Sequence, residues 1–379
     1  MGCSVIIELV IYCILYIIAV FLIPFISIFL KYRYILILIL KFTIMDIRRI
    51  PVDLSNKKFK YVSRKNNKVI KVAKTLKRIN SLRIPPNYSR VKISSNKSSK
   101  VQAIGEDTKG RKQYIYHPEF IEEQQTIKFQ DLINFGRKIK RIRKDYRSLL
   151  ETSISLDSKT KLISMVLYLL DVCNFRVGTE EYKKRYNTYG ATTLNTNHIL
   201  FTEKGAEISF VGKKSIQNTS IIKQPTIIKL LDTLCERNRG KEYLFYYQDE
   251  KTGKVNNVNS SHMNTFLKKY HSNLKPKMFR TWNGNAILLK YLLSQKKPNT
   301  LKEIKANLKE GIRRVSVGLH NTVTVAKKSY CNSEIYETYL NDNETFFEFI
   351  DSNRKENGDK KSADRMLTLF LIKYYKKHN

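Results

Sequence analysis

The sequence is poor in acidic residues and cysteine, and it lacks the common signatures of metal and nucleotide sites. Asp and Glu total 33 against 70 Lys and Arg, for a formal charge of +37. Residues 1–44 carry three basic residues and one acidic residue, which leaves +35 on residues 45–379. So little acid favours a polyanionic partner, because neutralising phosphates and releasing their counterions gives affinity whatever the sequence. Codon bias in an AT-rich gene would also enrich Lys, Asn, Ile and Tyr, but it would raise Asp and Glu somewhat as well. The five cysteines (Cys3, Cys13, Cys173, Cys235, Cys331) are odd in number and lack metal-ligand spacing, which argues against a disulfide framework. The six histidines are scattered, with no H-E-x-x-H and no Cys/His cluster. No Walker loop and no G-x-G-x-x-G occurs, so neither a zinc site nor a P-loop site is announced.

Long apolar runs are confined to the beginning. Residues 9–30 carry no charge and are long enough to span a bilayer. Lys31 and Arg33 follow, which fits an anchor whose C-terminal side is cytoplasmic. The opening M-G-C-S-V-I lacks the Ser or Thr at position six expected for myristoylation. From Met45 the chain turns polar and basic, in M-D-I-R-R-I-P. Residues 1–44 therefore read either as a membrane anchor or as sequence upstream of a start at Met45.

Residues 57–120 hold short alternating runs (F-K-Y-V-S, K-V-I-K-V, R-V-K-I-S, V-Q-A-I-G, Q-Y-I-Y) broken by Asn, Ser, Gly and Pro. Period-two alternation predicts a small strand-rich domain, with one helix near 70–82 that I-P-P-N-Y terminates. From about Thr126 the period becomes helical, with Ile127, Phe129, Leu132, Ile133, Ile139 and Ile142 forming a stripe opposite Lys138, Lys140, Arg141 and Arg143. Residues 161–173 are apolar almost all round and predict a central buried helix. Residues 198–212 predict a hairpin turning at E-K-G. Beyond it the pattern is helical to the C-terminus, apart from an interruption near 236–260. The expected fold class is α+β, with a strand-rich domain over 45–127 and a larger, mainly helical one over 128–379.

Four separated basic and phenolic residues stand out. Arg176 lies in N-F-R-V-G-T-E-E-Y, Lys213 in F-V-G-K-K and Arg280 in P-K-M-F-R-T-W-N-G. Tyr330 ends V-S-V-G-L-H-N-T-V-T-V-A-K-K-S-Y. Taken singly, the cations read as solvated or ion-paired charges and the tyrosine as packing.

In this order, however, they resemble the small type IB DNA topoisomerases of the poxviral and bacterial kind. The resemblance runs from about residue 57 to 345. It is densest in F-K-Y-V with R-I-N-S-L-R-I-P-P-N-Y, in D-T-K-G-R-K-Q-Y-I-Y-H-P, in F-R-V-G-x-x-x-Y with N-T-Y-G-A-T-T-L, in F-V-G-K, and in F-R-T-W-N with K-K-S-Y. It implies a strand-rich domain and a helical catalytic domain forming a C-shaped clamp. The implied enzyme is a monomer acting on duplex DNA inside the cell, in a nucleus, viral factory or virion, tethered to membrane if residues 1–44 form an anchor. A phenol with a pKa near 10 is only about 0.1% ionised at pH 7, so a tyrosine nucleophile needs cationic help. By match to the family motifs, Tyr330 attacks the phosphodiester, while Arg176 and Arg280 fork the non-bridging oxygens. Lys213, on a hairpin tip, protonates the leaving 5′-oxygen. One phosphodiester replaces another, so resealing needs no ATP, and Mg²⁺ is at most a stimulant.

A fifth family residue, His or Asn nine places before the tyrosine, donates to a phosphate oxygen. Here that place is Asn321, with His320 the alternative if the spacing is shifted by one. Gln113, Tyr114 and Tyr116 match residues that contact duplex DNA, and Gly178 and Tyr182 match residues near the DNA backbone. Where poxviral members often carry lysines, this chain has Thr179, Glu180 and Glu181. Two rival readings remain. A tyrosine recombinase would carry H-x-x-R where this chain has Lys277-Met278-Phe279-Arg280, and a catalytically silent basic DNA-binding protein would keep the fold alone.

Overall fold

A computed structural model describes residues 45–375, apart from 54, 56, 57, 157, 250, 354, 357, 358 and 361. The apolar run at 9–30 and the anchor reading attached to it lie outside the described residues. Two compact units divide between Thr126 and Ile127.

The first unit is a five-stranded antiparallel sheet in the order β2-β1-β3-β4-β5, with one helix. Its strands are β1 (Ile47–Asp53), β2 (Lys58–Ser63), β3 (Ser89–Ile93), β4 (Val101–Glu106) and β5 (Lys112–Tyr116), and α1 is Ala73–Ser81. Register gives the two faces opposite fates. Ile47, Ile93, Ala103 and Ile115 form one cross-strand row, and with Ile79 of α1 they make the core. The next row, Arg48, Lys92, Ile104 and Tyr114, lies on the other face, where Arg48, Lys92 and Tyr114 are exposed.

Two expectations change here. The run K-V-I-K-V forms a single bridge, Val62 to Val69, because Val69 and Val72 are exposed and have no core to bury against. Strand β1 precedes the predicted strand-rich segment. Its I-R-R-I-P-V-D carries three charges and a proline, which masked the alternation.

The second unit is mainly helical. Helix α2 (Pro118–Glu151) starts well before the predicted Thr126, since its first turns, P-E-F-I-E-E-Q-Q-T, carry only the adjacent Phe120 and Ile121 among apolar residues and show no apolar period. Ile127, counted in the stripe, is 43% exposed, whereas Leu132, Ile133, Ile139 and Ile142 are buried as expected. Helix α3 (Lys159–Val172) is the predicted central helix, buried continuously from Lys161 to Asp171. Each fully buried Leu along it contributes about 1.5–3 kcal/mol. Its buried Lys161 is satisfied by the carbonyls of Thr152 and Ile154 at 2.7 and 2.9 Å. After α4 (Glu180–Tyr186), strands β6 (Ile199–Thr202), β7 (Gly205–Gly212) and β8 (Ile216–Ile222) form an antiparallel sheet. The hairpin over 198–212 is therefore joined by a third strand, in a stretch that reads as helical because its apolar residues cluster at the ends.

Helix α5 (Pro225–Arg237) leads to a short hairpin, β9 (Tyr246–Gln248) with β10 (Val255–Asn257), within the predicted interruption. Helices α6 (Ser260–Lys268), α7 (Lys277–Leu293), α8 (Leu301–Gly318), α9 (Val323–Ser329), α10 (Ser333–Asn341) and α11 (Asn343–Asn353) follow. The chain then runs through β11 (Lys355–Glu356) and β12 (Asp359–Lys360) into α12 (Ala363–Tyr375). Trp282 of α7 is fully buried over Gly136 of α2, where an added Cβ would lie 2.4 Å from the indole and 2.8 Å from Thr368 Oγ1 of α12. Gly136 is thus where three helices approach closely enough to exclude any side chain.

Candidate active site

The loop after α3 delivers Arg176. Asn174 adopts a left-handed backbone (φ 56°), turning the chain out of the helix. The Arg176 carbonyl then accepts from Ala191 N–H at 2.8 Å, and the Val177 carbonyl accepts from Thr192 N–H at 2.7 Å. Gly178 (φ 87°) and Gly190 meet so tightly that a Cβ on Gly190 would lie 2.5 Å from Gly178 N and 2.6 Å from the Arg176 carbonyl. The motifs F-R-V-G and N-T-Y-G-A-T-T-L therefore form one scaffold, with the second bracing the backbone of the first.

Arg280 comes from the first turns of α7 and is only 3% exposed. Its Nη2 donates to the Leu319 carbonyl at 2.6 Å and its Nη1 to the Asn174 carbonyl. Burial, reinforced by the neighbouring Arg176, pushes its pKa down to about 10, which leaves it charged at neutral pH.

Tyr330 caps the C-terminus of α9, a helix whose first turn is closed by Thr322 Oγ1 accepting from Val325 N–H. The Tyr330 hydroxyl accepts from Arg176 Nη2 at 3.3 Å and from Arg280 Nε at 3.4 Å. Burial opposes ionisation of this phenol. The charges of Arg280 and Arg176, with their hydrogen bonds, outweigh it and hold the pKa below the ordinary tyrosine value. The backbone at and just after Tyr330 is clamped by the fully buried Asn285, which donates to the Tyr330 carbonyl at 2.9 Å and accepts from Asn332 N–H at 2.7 Å.

Asn321 and His320 are sharply distinguished. Asn321 Oδ1 accepts from Arg176 Nη2 at 3.1 Å, and its Nδ2 donates to the Leu319 carbonyl at 3.1 Å. His320 takes a left-handed backbone (φ 49°) and its Nε2 lies 3.2 Å from the Cys173 carbonyl, with its ring against Phe175. Arg176, Arg280, Tyr330 and Asn321 thus form one hydrogen-bonded group.

Lys213 stands apart from that group. It lies exposed at the turn between β7 and β8, with Lys214 and Ser215 both left-handed, and its ammonium is 5.8 Å from the centre of the Tyr182 ring. Tyr182, on α4, is itself exposed and packs on Tyr186. In the first unit, Tyr114 and Tyr116 are exposed on β5 with nearly parallel rings 6.1 Å apart, while Gln113 donates to Asp107 Oδ2 at 3.0 Å. Lys327, on α9 beside the site, donates to the Tyr336 hydroxyl at 3.1 Å.

Two features of the site went unread in the sequence. Lys128 of α2 donates to the Ser329 carbonyl at 3.3 Å, next to the tyrosine, with nothing local to mark it. Asn285 could have been found, because Asn283 and Asn285 are amides in the middle of a helix that is buried on most sides there. Amides that are poor helix formers persist in such a place when tertiary hydrogen bonds hold them. Among the described residues no group of His, Cys, Asp and Glu could hold a metal ion.

A cluster of two guanidinium groups on one phenol suits a phosphate-directed nucleophile. A family model described as the catalytic core of eukaryotic DNA topoisomerase I matches residues 117–356. Another, described as the N-terminal domain of bacterial DNA topoisomerase IB, matches residues 58–107. DNA topoisomerase 1B of Acanthamoeba polyphaga mimivirus is 30% identical over 299 residues, covering 78% of this chain and 88% of the relative. DNA topoisomerase 1 of rabbit fibroma virus (strain Kasza) is 24% identical over 250 residues, covering 65% of this chain and 74% of the relative. DNA topoisomerase 1B of vaccinia virus (strain Copenhagen) is 24% identical over 257 residues, covering 65% and 77%. With two family models matched across both units and a relative 30% identical over most of its length, the chain belongs to the type IB DNA topoisomerases.

Proposed function

We propose that this topoisomerase relaxes supercoiled duplex DNA with Tyr330 as its nucleophile. The phenolate oxygen attacks a backbone phosphorus, the bond from phosphorus to the 5′-oxygen breaks, and a 3′-phosphotyrosyl DNA forms beside a free 5′-hydroxyl. The observation that carries the reading is the pair of guanidinium groups, from Arg176 and Arg280, donating to the Tyr330 hydroxyl. In the bound complex the same forks stabilise charge developing on the non-bridging oxygens. Asn321, which shares Arg176 with the tyrosine, is the fifth member of the set in preference to His320, which is turned to the Cys173 carbonyl. The phenol releases its proton to solvent, and Lys213, exposed at its turn, supplies a proton to the leaving 5′-oxygen and regains one from solvent.

Reversal of the same step reseals the strand. One phosphodiester is exchanged for another of similar energy, so relaxation proceeds without ATP and without an obligatory Mg²⁺. Gln113, Tyr114 and Tyr116, with Gly178 and Tyr182, are proposed to touch duplex DNA, and the enzyme acts as a monomer. The test is plasmid relaxation in a chelator and without ATP, by wild type and Tyr330→Phe, with denaturant trapping of covalent protein–DNA. Relaxation and trapping by wild type alone are expected, and relaxation persisting in Tyr330→Phe would overturn the assignment.

A further inference from the structure

A second, partly buried polar cluster stands behind the first, and its ends are an ionic centre and the carbonyl that holds Arg280. Arg143 of α2 donates to Asp171 of α3 through Nε at 2.7 Å and Nη2 at 2.8 Å, and through Nη1 to Asp364 of α12 at 2.5 Å. The Tyr146 hydroxyl donates to Asp171 Oδ2 at 2.7 Å. Asp364 also accepts from the indole N–H of Trp282 at 2.6 Å. Arg143 Nη2 reaches Asn283 Oδ1 at 3.2 Å, and Asn283 Nδ2 donates to Asn174 Oδ1 at 2.8 Å and to the Asp171 carbonyl at 2.6 Å. Asn174 Nδ2 in turn donates to the Gly318 carbonyl at 3.0 Å, and the Asn174 carbonyl receives Arg280 Nη1. Trp282 and Asn283 are the second and third residues after Arg280 on the same helix, and Asn174 precedes Arg176 by two. Both arginines that face Tyr330 therefore leave from this network.

We infer that Asp364, on the C-terminal helix α12, is a positioning residue for the transesterification. By anchoring Arg143 and Trp282 it fixes Asn283 and Asn174, and through them the guanidinium group of Arg280. Helix α12 lies beyond residue 356, where the match to the catalytic-core family model ends, so the helix completes a support that the matched core does not contain by itself. Burial opposes the charge on Arg143, and the bonds and charges of Asp171 and Asp364 outweigh it. A guanidinium held by charge-assisted bonds to two carboxylates, one of them buried, is fixed in orientation, and a hydrogen-bond chain starting from it transmits that orientation.

The inference rests on the reading of Tyr330 and Arg280 given above, and the experiment separates the two. Single-turnover cleavage of a short duplex by the full chain is followed from neutral to alkaline pH for wild type, Asp364→Asn, Asn283→Ser and Tyr330→Phe. Duplex affinity and melting temperature are measured alongside. The charged groups facing the phenol are Arg280, Arg176 and Lys128. Loosening Arg280 therefore raises the pH at which cleavage is half-maximal. Asp364→Asn keeps an acceptor for Trp282 but removes the carboxylate charge facing Arg143, whereas Asn283→Ser leaves the ion cluster whole and cuts the chain at its middle. Both are expected to bind duplex within about twofold of wild type, to cleave roughly 10- to 100-fold more slowly and to shift the pH midpoint upward. A slower reaction with an unmoved midpoint in Asn283→Ser, or wild-type rate and midpoint in Asp364→Asn, would sink the inference. If Asp364→Asn does not fold, Arg143→Lys, which breaks the link from Asp364 to Asn283, takes its place, and a wild-type rate and midpoint there would overturn the inference. Cleavage surviving in Tyr330→Phe would instead refute the underlying reading.

Discussion

The tyrosine site and the outer face of the N-terminal sheet are both basic and aromatic, yet they are built on opposite terms. At the site, Arg280 is buried and held by two backbone carbonyls, and Tyr330 is clamped through its own backbone by Asn285. On the sheet, Arg48, Lys92 and Tyr114 share a cross-strand row and extend into solvent. Chemistry at phosphorus depends on reacting atoms held within fractions of an ångström, which requires side chains with no alternative orientation. Attraction to a polyanion requires only charge at a distance and tolerates mobile side chains. Substitutions in the two regions should therefore fail in different ways.

The largest effect is expected from Tyr330→Phe, which removes the oxygen proposed to attack the phosphorus. Covalent adduct and relaxation should fall below detection while the melting curve stays close to that of wild type. Arg280→Lys comes next, since one ammonium cannot serve two carbonyls and a phosphate fork at once. A loss of roughly 10²–10³-fold in single-turnover cleavage is expected, with duplex affinity little changed. Retention of activity by the lysine variant would blur the contrast between fixed and mobile cations. Asn321→Ala should slow cleavage roughly tenfold, since it loses its bonds to Arg176 and the Leu319 carbonyl, and His320→Ala by no more than about threefold, since it loses one bond away from the phenol. Equal losses in the two would remove the distinction drawn from their geometry.

The pH profile sharpens the same contrast. The phenolate is the reactive form and the two guanidinium charges favour it, so wild-type cleavage should rise with pH and level off below the ordinary phenol pKa of about 10. In Arg176→Ala the rise should move to higher pH, because one of those charges is gone. No such displacement is expected for any substitution on the sheet. The smallest effect on cleavage belongs to the pair Arg48→Ala and Lys92→Ala. Under saturating DNA their rates should match wild type, while the slope of log affinity against log salt becomes shallower by about one for each phosphate no longer neutralised.

Much of this was legible in the chain because it was written locally. The continuous apolar run of 161–173 demanded burial, the E-K-G turn marked a hairpin, and the motif residues Arg176, Arg280 and Tyr330 stood out once their order was noticed. Less legible were elements whose stabilising partners lie elsewhere. Strand β1 hides its period behind charges and a proline, and the start of α2 has no apolar face. Strand β8 is a strand because β7 pairs with it along its whole length. Lys213 carried its motif plainly, but its exposed turn and its neighbour Tyr182 are features of the sheet and α4 together.

By itself, the sequence determined a basic, two-part α+β chain and the residue types of a cationic phosphoryl-transfer site, since composition and motif order are local properties. Tertiary structure decided which of two adjacent residues, His320 or Asn321, meets Arg176. It also decided that Asn285 clamps the backbone at Tyr330, and that Asp364 on the last helix reaches the ion cluster behind Arg280. The physical reason is that a hydrogen bond in a buried site depends on direction and on what else competes for each donor. Those are settled only when distant segments close around it.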